Sequence, residues 1–164
     1  VALIDTFTEW TGRLLAWCMF LMVVVTVAIV VLRYATTTNT ILLQELVMYM
    51  HAFAFMLAIP WALKHDAHVR VDLVYSRLGP YGRAWVDLVG HLVLLIPTAI
   101  LILVYSRVYV GNAWRIMEGS QEVGGIPGVY LLKTLIPAMA VLLILQGLAE
   151  ILRRIAFLRR GRHG

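Results

Sequence analysis

The sequence predicts an all-α integral membrane protein with four transmembrane helices, and three observations support this prediction. Four apolar stretches each reach the roughly 20 residues that a helix needs to cross a bilayer core of about 30 Å. Hydrophobic residues make up 62% of the 164 residues and charged residues only 14%, too few to cover a water-soluble surface. The basic residues fall mostly on alternate sides of the four stretches, as they do in polytopic membrane proteins.

The predicted spans carry few charges. In chain order they are residues 14–35, 41–63, 86–110 and 129–149. Together they contain five charged side chains: Arg33, Glu45, Asp87, Arg107 and Lys133. The loops between the spans are too short for a soluble domain, so a single four-helix membrane domain is predicted for residues 1–164, with a basic tail at 153–164.

The distribution of basic residues predicts the orientation. Of the 14 Lys and Arg residues, ten lie at the N-terminus, in the middle loop or in the tail, and four lie on the other side. In short loops this bias sets the topology, so both termini and the middle loop are predicted to be cytoplasmic. The basic residues flank apolar spans and form no continuous basic face with stacking aromatics, so nucleic acid is not a predicted partner.

The middle loop is predicted to contain a short amphipathic helix at about residues 66–78. Arg70 and Arg77 lie away from a stripe of apolar residues with helical spacing: Ala67, Val71, Val74 and Leu78. Because both flanks are embedded in the membrane, we favour a helix in the interface whose arginines reach anionic phospholipids. The alternative is a solvated connector with incidental periodicity.

Six residues are predicted to make subunit-interface or intramembrane polar contacts: Arg33, Glu45, Asp87, His91, Lys133 and Gln146. Glu45 could meet Arg33 or Lys133, because charges inside a membrane tend to face protein. In the third span Asp87 and His91 are close enough to pair, and Thr98 and Tyr105 continue in the same direction. A packing seam is favoured over a proton relay, because no chain of carboxylates crosses the middle of the membrane.

His51 and His91 support a rival hypothesis, since two intramembrane histidines could ligate a b-type haem. At 1.5 Å per residue, His51 lies about 15 Å and His91 about 22 Å from the outer surface, whereas axial ligands should be nearly level. Two alternative functions remain open: a haem-binding or plain membrane-anchor subunit of a respiratory enzyme, and a small transporter that acts alone. The sequence shows no nucleophile elbow, phosphate loop or metal-ligand spacing, so no enzyme activity, cofactor or metal is predicted.

Several short motifs are spread over the chain. The longest, residues 64–73, reads KHDAHVRVDL and contains His68, Arg70 and Asp72. The others are Arg33-Tyr34, Glu45, Glu118-Gly119-Ser120, residues 124–127 (GGIP, with Gly125 and Pro127), Lys133, Ile136-Pro137 and Leu145-Gln146-Gly147. With four spans and both ends inside, the chain resembles the small membrane subunit of tripartite ATP-independent periplasmic (TRAP) transporters, the DctQ-like family. Departures at residues 58–60 and at Tyr130 affect details of packing.

The resemblance implies a function that the residues alone do not show. In this family the small subunit pairs with a large multi-span subunit in the bacterial inner membrane, which carries the substrate and sodium sites and moves as an elevator. A soluble periplasmic binding protein delivers the substrate, typically an organic acid. The resemblance therefore implies a brace for the large subunit and part of the docking surface for the binding protein.

Overall fold

The computed structural model describes residues 2–36, 40–65 and 78–160. Within these ranges the chain forms four long helices: α1 (Ala2–Ala35), α2 (Ile41–Lys64), α3 (Pro80–Arg115) and α4 (Val129–Arg160). All four are long and apolar enough to cross a membrane, which confirms the predicted all-α fold with four spans. The predicted interfacial helix lies outside the described residues except for Leu78, and so do the motif residues His68, Arg70 and Asp72.

Three helices extend beyond the predicted spans. The first begins at Ala2, the third runs from Pro80 to Arg115, and the last continues to Arg160 through much of the predicted basic tail. Asp5 lies in the first turn of α1, where a carboxylate complements the helix dipole, and Pro80 occupies the first turn of α3, where a missing N–H costs nothing. Apolar residues mark only the part of a helix that lies in the membrane core. The helix itself continues until a residue that ends helices is reached, so the observed helices are longer than the predicted spans.

Helix α4 occupies the centre of the fold. It packs along both α2 and α3, while α1 packs along the other side of α2 and has few contacts with α4. The most apolar window of α4 is 39% buried, against 6% for those of α1 and α3. The order of contact is therefore α1, α2, α4, α3, and most of the apolar surface of the two outer helices is left for lipid or for other chains.

Helix α3 contains a π-helical turn at His91–Leu95, where the Ile96 amide donates to the His91 carbonyl. Pro97, two residues beyond, cannot donate a backbone hydrogen bond, and a wider turn accommodates such a break. The turn shifts the register of everything that follows it. Asp87, before the turn, is buried, whereas Thr98 and Tyr105, after it, are exposed, so the continuous polar stripe predicted for the third span is not formed.

The π turn is also where α3 and α4 approach closely. A Cβ atom added at Gly147 would lie 2.6 Å from Leu95 Cδ2 and 3.1 Å from Ile96 Cδ1. Gly147 therefore allows α4 to approach α3 at the π turn, which is a common use of small residues between membrane helices.

Candidate functional site

Polar side chains collect at the end of the bundle where α1 begins and α4 ends, and these residues form what we call the terminal cluster. All four helices contribute to it. Its members are Asp5, Thr8, Glu9, Lys64, Asp87, Gln146, Glu150, Arg153 and Arg154.

The centre of the terminal cluster joins α1 to α4. Gln146 is fully buried, with 0% of its surface exposed. Its Oε1 accepts a hydrogen bond from Thr8 Oγ1 at 3.0 Å, and its Nε2 donates to Glu150 Oε1 at 3.3 Å. Arg153 donates to the carboxylates of both Asp5 and Glu150. A buried amide and two carboxylates thus receive the partners that burial requires.

Two further contacts bring α2 and α3 into the same cluster. Lys64 Nζ donates to the Asp5 carbonyl at 2.9 Å and to Glu9 Oε2 at 3.0 Å, which joins the last turn of α2 to α1. Arg154 Nη2 lies 3.3 Å from Asp87 Oδ2, which joins α4 to α3. The terminal cluster therefore fixes the positions of all four helices relative to one another.

At the opposite end of the bundle, Glu45 holds the loop between α3 and α4. Its Oε2 accepts a hydrogen bond from the Ile126 amide at 2.5 Å, and its Oε1 accepts one from Ser120 Oγ. A Cβ atom at Gly125 would lie 2.4 Å from Ser120 Oγ and 2.6 Å from Glu45 Oε1. Only glycine at position 125 leaves room for this arrangement, which we call the loop anchor.

Lys133 belongs to a neighbouring contact in the same loop. Its Nζ donates to both Glu118 oxygens, at 2.7 and 2.5 Å, and lies 4.2 Å from the centre of the Tyr109 ring. The loop leaves α3 at Met117, whose φ of 47° gives the left-handed residue that commonly ends a helix, and the Glu118 amide bonds back to the Ala113 carbonyl. This ending places the Glu118 side chain against α4.

The predicted polar residues thus have partners that the sequence did not specify. Glu45 does not pair with Lys133, because the loop supplies the partners of both side chains. Arg33 is exposed and has no partner among the described residues. The Nδ1 atom of His91 lies 2.5 Å from the backbone carbonyl of Asp87, while the Asp87 carboxylate faces Arg154. The two groups therefore do not pair through their side chains.

Three further motif residues that the structure describes are Gly125, Pro127 and Pro137. Gly125 is part of the loop anchor, and Pro127 packs against Gly119, where an added Cβ would lie 3.4 Å from the proline Cα. Pro137 lies inside α4 without ending it.

Sequence reasoning missed most of the terminal cluster. Asp5 and Glu9 precede the first predicted span, and Arg153 and Arg154 belong to the predicted basic tail. The spacing of the polar residues could have indicated the cluster. Gln146, Glu150 and Arg153 follow i, i+4, i+7, which places them on one face of α4. Asp5 and Glu9, at i and i+4, do the same on α1.

The arrangement does not favour a haem site. His51 lies on α2 and His91 on α3, and each of these helices packs along α4 rather than extensively against the other. Within residues 2–36, 40–65 and 78–160, no three His, Cys, Asp or Glu side chains are grouped as metal ligands would be.

The comparison with known protein families accounts for most of the chain. Residues 22–157 match the family of tripartite ATP-independent periplasmic transporters, DctQ component. A search of curated proteins gives no match. The DctQ family comprises transporter subunits rather than enzymes, and its members work with a large TRAP subunit and a periplasmic binding protein. The match covers well over half of the sequence, and the described residues form four helices able to span a membrane, so the chain belongs to the DctQ family and is a small membrane subunit of a TRAP transporter.

Proposed function

We propose that the chain is a static brace for the large subunit of a sodium-coupled TRAP transporter of an organic acid in the bacterial inner membrane. The observation that carries this proposal is that polar contacts tie the helices together at both ends. The terminal cluster joins all four helices, and the loop anchor joins α2 to the connection between α3 and α4. Relative movement of these helices would break several charged hydrogen bonds, which are stronger than neutral ones.

A rigid small subunit fits a division of labour in which the large subunit carries the substrate and sodium sites. We further propose that the loop between α3 and α4 helps to form the docking surface for the binding protein. Its backbone is held by Glu45, while Ile116, Met117 and Val123 are 72%, 61% and 88% exposed. Apolar side chains displayed on a fixed backbone suit binding, because little conformational entropy is lost when the partner docks.

Locking α1 to α2 tests the static role. Cysteines replace Glu9 and Lys64, whose charged groups lie 3.0 Å apart, in a Cys18→Ser background, and a bifunctional thiol reagent joins them. The complete transporter, with a cysteine-free large subunit and the binding protein, is then assayed for uptake in proteoliposomes. Uptake by the locked complex should stay within about twofold of the singly labelled controls, because a brace does not rearrange.

Two outcomes would contradict the proposal. Loss of uptake on cross-linking, with the single-cysteine controls active, would mean that α1 and α2 move during transport. Full uptake by the large subunit and binding protein without this chain would mean that no brace is required.

A further inference from the structure

One face of α2 is exposed along a regular stripe that includes polar side chains. The exposed residues Gln44, Met48, His51 and Phe55 follow i, i+4, i+7, i+11. At 100° per residue they point within about 30° of one direction. We call these four residues the α2 stripe. It lies in a span that α1 and α4 already flank, so it faces away from the layer of helices.

His51 is the unusual member of the stripe. It is ten residues from Ile41 and 13 from Lys64, which places it about 15 and 20 Å from the two ends of the helix, near the middle of the membrane. Its ring stacks on Phe55 with centroids 6.3 Å apart, and neither ring nitrogen hydrogen-bonds to any residue in the described ranges. An imidazole facing lipid at this depth has no water to replace the missing partner.

Most other polar groups in the spans either bond within their own helix or, like Arg33 and Arg107, lie near the end of a predicted span, where a long side chain can reach the interface. Thr26 donates to the Met22 carbonyl, and His91 reaches the Asp87 carbonyl. Thr98 on α3 is exposed, but a threonine hydroxyl can rotate towards the carbonyl four residues earlier. Tyr105 lies far enough along α3 to direct its hydroxyl to the interface.

Two other exposed surfaces look different. On α4 the exposed positions Val141, Leu145, Leu148 and Leu152 form a stripe with the same helical spacing, and every member is apolar. On the opposite side of α2, about 180° from the α2 stripe, an apolar groove of about 290 Å³ opens between α1, α2 and α4, lined by residues that include Cys18, Tyr49 and Phe53. These surfaces suit acyl chains, whereas the α2 stripe requires a partner that can form hydrogen bonds.

We propose that the α2 stripe is the surface through which this chain contacts the large TRAP subunit inside the membrane, and that a hydrogen-bonding side chain of that subunit faces His51. This inference rests on the proposed function, since it names the face on which the brace acts. Members of the family work with a large membrane-embedded subunit. The unpaired imidazole of His51 requires that this partner place a hydrogen-bonding side chain opposite it. Phe55 and Met48, 60% and 49% exposed, supply the apolar contacts on either side.

Site-specific photo-crosslinking in the complete transporter tests the placement. A photoreactive amino acid replaces Met48 or Phe55 in the α2 stripe, and Leu145 or Leu148 in the α4 stripe serves as the matched control. The α2 positions should give adducts with the large subunit, and the α4 positions should not. Adducts from α4 alone, adducts with a second copy of this chain, or labelling of lipid alone from the α2 positions would each overturn the proposal.

Substitution of His51 tests its chemistry. His51→Leu should weaken association with the large subunit about threefold to tenfold, as expected for one interhelical hydrogen bond, and His51→Asn should restore most of it. In the purified chain without its partner, His51→Leu should leave the melting temperature unchanged or raise it, because leucine suits lipid better. If His51→Leu bound the large subunit as tightly as wild type, His51 would form no hydrogen bond across the interface. Co-purification of the wild-type chain with the large subunit tests the proposed function separately. If the two proteins co-purify but the α2 stripe gives no adducts, only the proposed interface is wrong; if they do not co-purify, the proposed function is wrong.

Discussion

At the scale of single residues, Glu45 shows how one intramembrane charge orders a loop. Its carboxylate lies near the start of α2, where it accepts hydrogen bonds from the Ile126 amide and the Ser120 hydroxyl. Both donors belong to the loop between α3 and α4, far along the sequence from Glu45. The charge is therefore used for tertiary structure and needs no cationic partner on another helix.

Glu45→Ala should release this loop without unfolding the helices. Removing the carboxylate leaves the Ile126 amide without its partner, and a charged hydrogen bond contributes about 1.5–3 kcal/mol. We expect hydrogen exchange of the loop amides to accelerate about tenfold or more, measured by mass spectrometry in detergent. Exposed Glu122→Ala in the same loop is the control. Equal exchange in wild type and Glu45→Ala would show that the loop does not depend on Glu45.

Gly125 provides an independent test of the same anchor. Gly125→Ala should disturb it by sterics, because the new Cβ would overlap Ser120 Oγ and Glu45 Oε1. Gly111→Ala is the matched control, since no atom lies within 4 Å of its added Cβ. Loop exchange should accelerate in Gly125→Ala only, and the control should be neutral or slightly stabilised by its better helix propensity. The same effect in both variants would contradict the close approach at Gly125.

At the scale of helices, the fold depends on contacts that reach from one element to the next. Asp87 joins the start of α3 to the end of α4 through Arg154, with side chains 6% and 27% exposed. Gly147 and the π turn bring the same two helices together further along α3. An ion pair near the start of α3 and close apolar packing at the π turn fix both the spacing and the register.

Asp87→Asn should destabilise the bundle by about 2 kcal/mol, less than the 3–5 kcal/mol typical of a fully buried pair because Arg154 is partly in solvent. Thermal unfolding in detergent measures it, with exposed Glu122→Gln as the control. The double variant Asp87→Asn/Arg154→Gln should lose less than the sum of the single variants. Strict additivity would mean that the two side chains act independently.

The segment 66–78 remains a prediction at this scale. If it is an interfacial helix, single cysteines in a Cys18→Ser background should react with a water-soluble thiol reagent in a pattern that repeats every three to four residues. Positions 67, 71, 74 and 78 should be protected, and positions 70 and 77 should react. Leu78 already lies against the first turn of α3, because an added Cβ at Gly82 would be 3.4 Å from its side chain. Uniform labelling would identify a flexible connector.

At the scale of the whole molecule, the helices form a layer in the order α1, α2, α4, α3, with polar contacts at both ends and apolar surface between. A layer buries less of each helix than a closed bundle does, so it offers wide faces to other chains and to lipid. This architecture suits a subunit that functions only in a complex.

The orientation of this layer is predicted to place both ends of the chain in the cytoplasm, because ten of the 14 basic residues lie on that side. A reporter that is active only in the periplasm should be silent when fused after Gly164 and active when inserted at Gly119. A cytoplasmic reporter at the same two sites should give the opposite result. Periplasmic activity at Gly164 would invert the topology and move the terminal cluster to the outside.

The sequence by itself determined the number of spans, the helical class and the family. Long apolar runs and short motifs are local signals, and a bilayer leaves the backbone little choice but to form helices. The tertiary structure decided how polar groups are paired. Glu45 and Lys133 bond to loop residues rather than to each other. The carboxylate of Asp87 pairs with Arg154 rather than with the predicted His91. Partners so distant in sequence depend on the order of the helices and on the register shift at His91–Leu95, and neither leaves a local pattern in the chain.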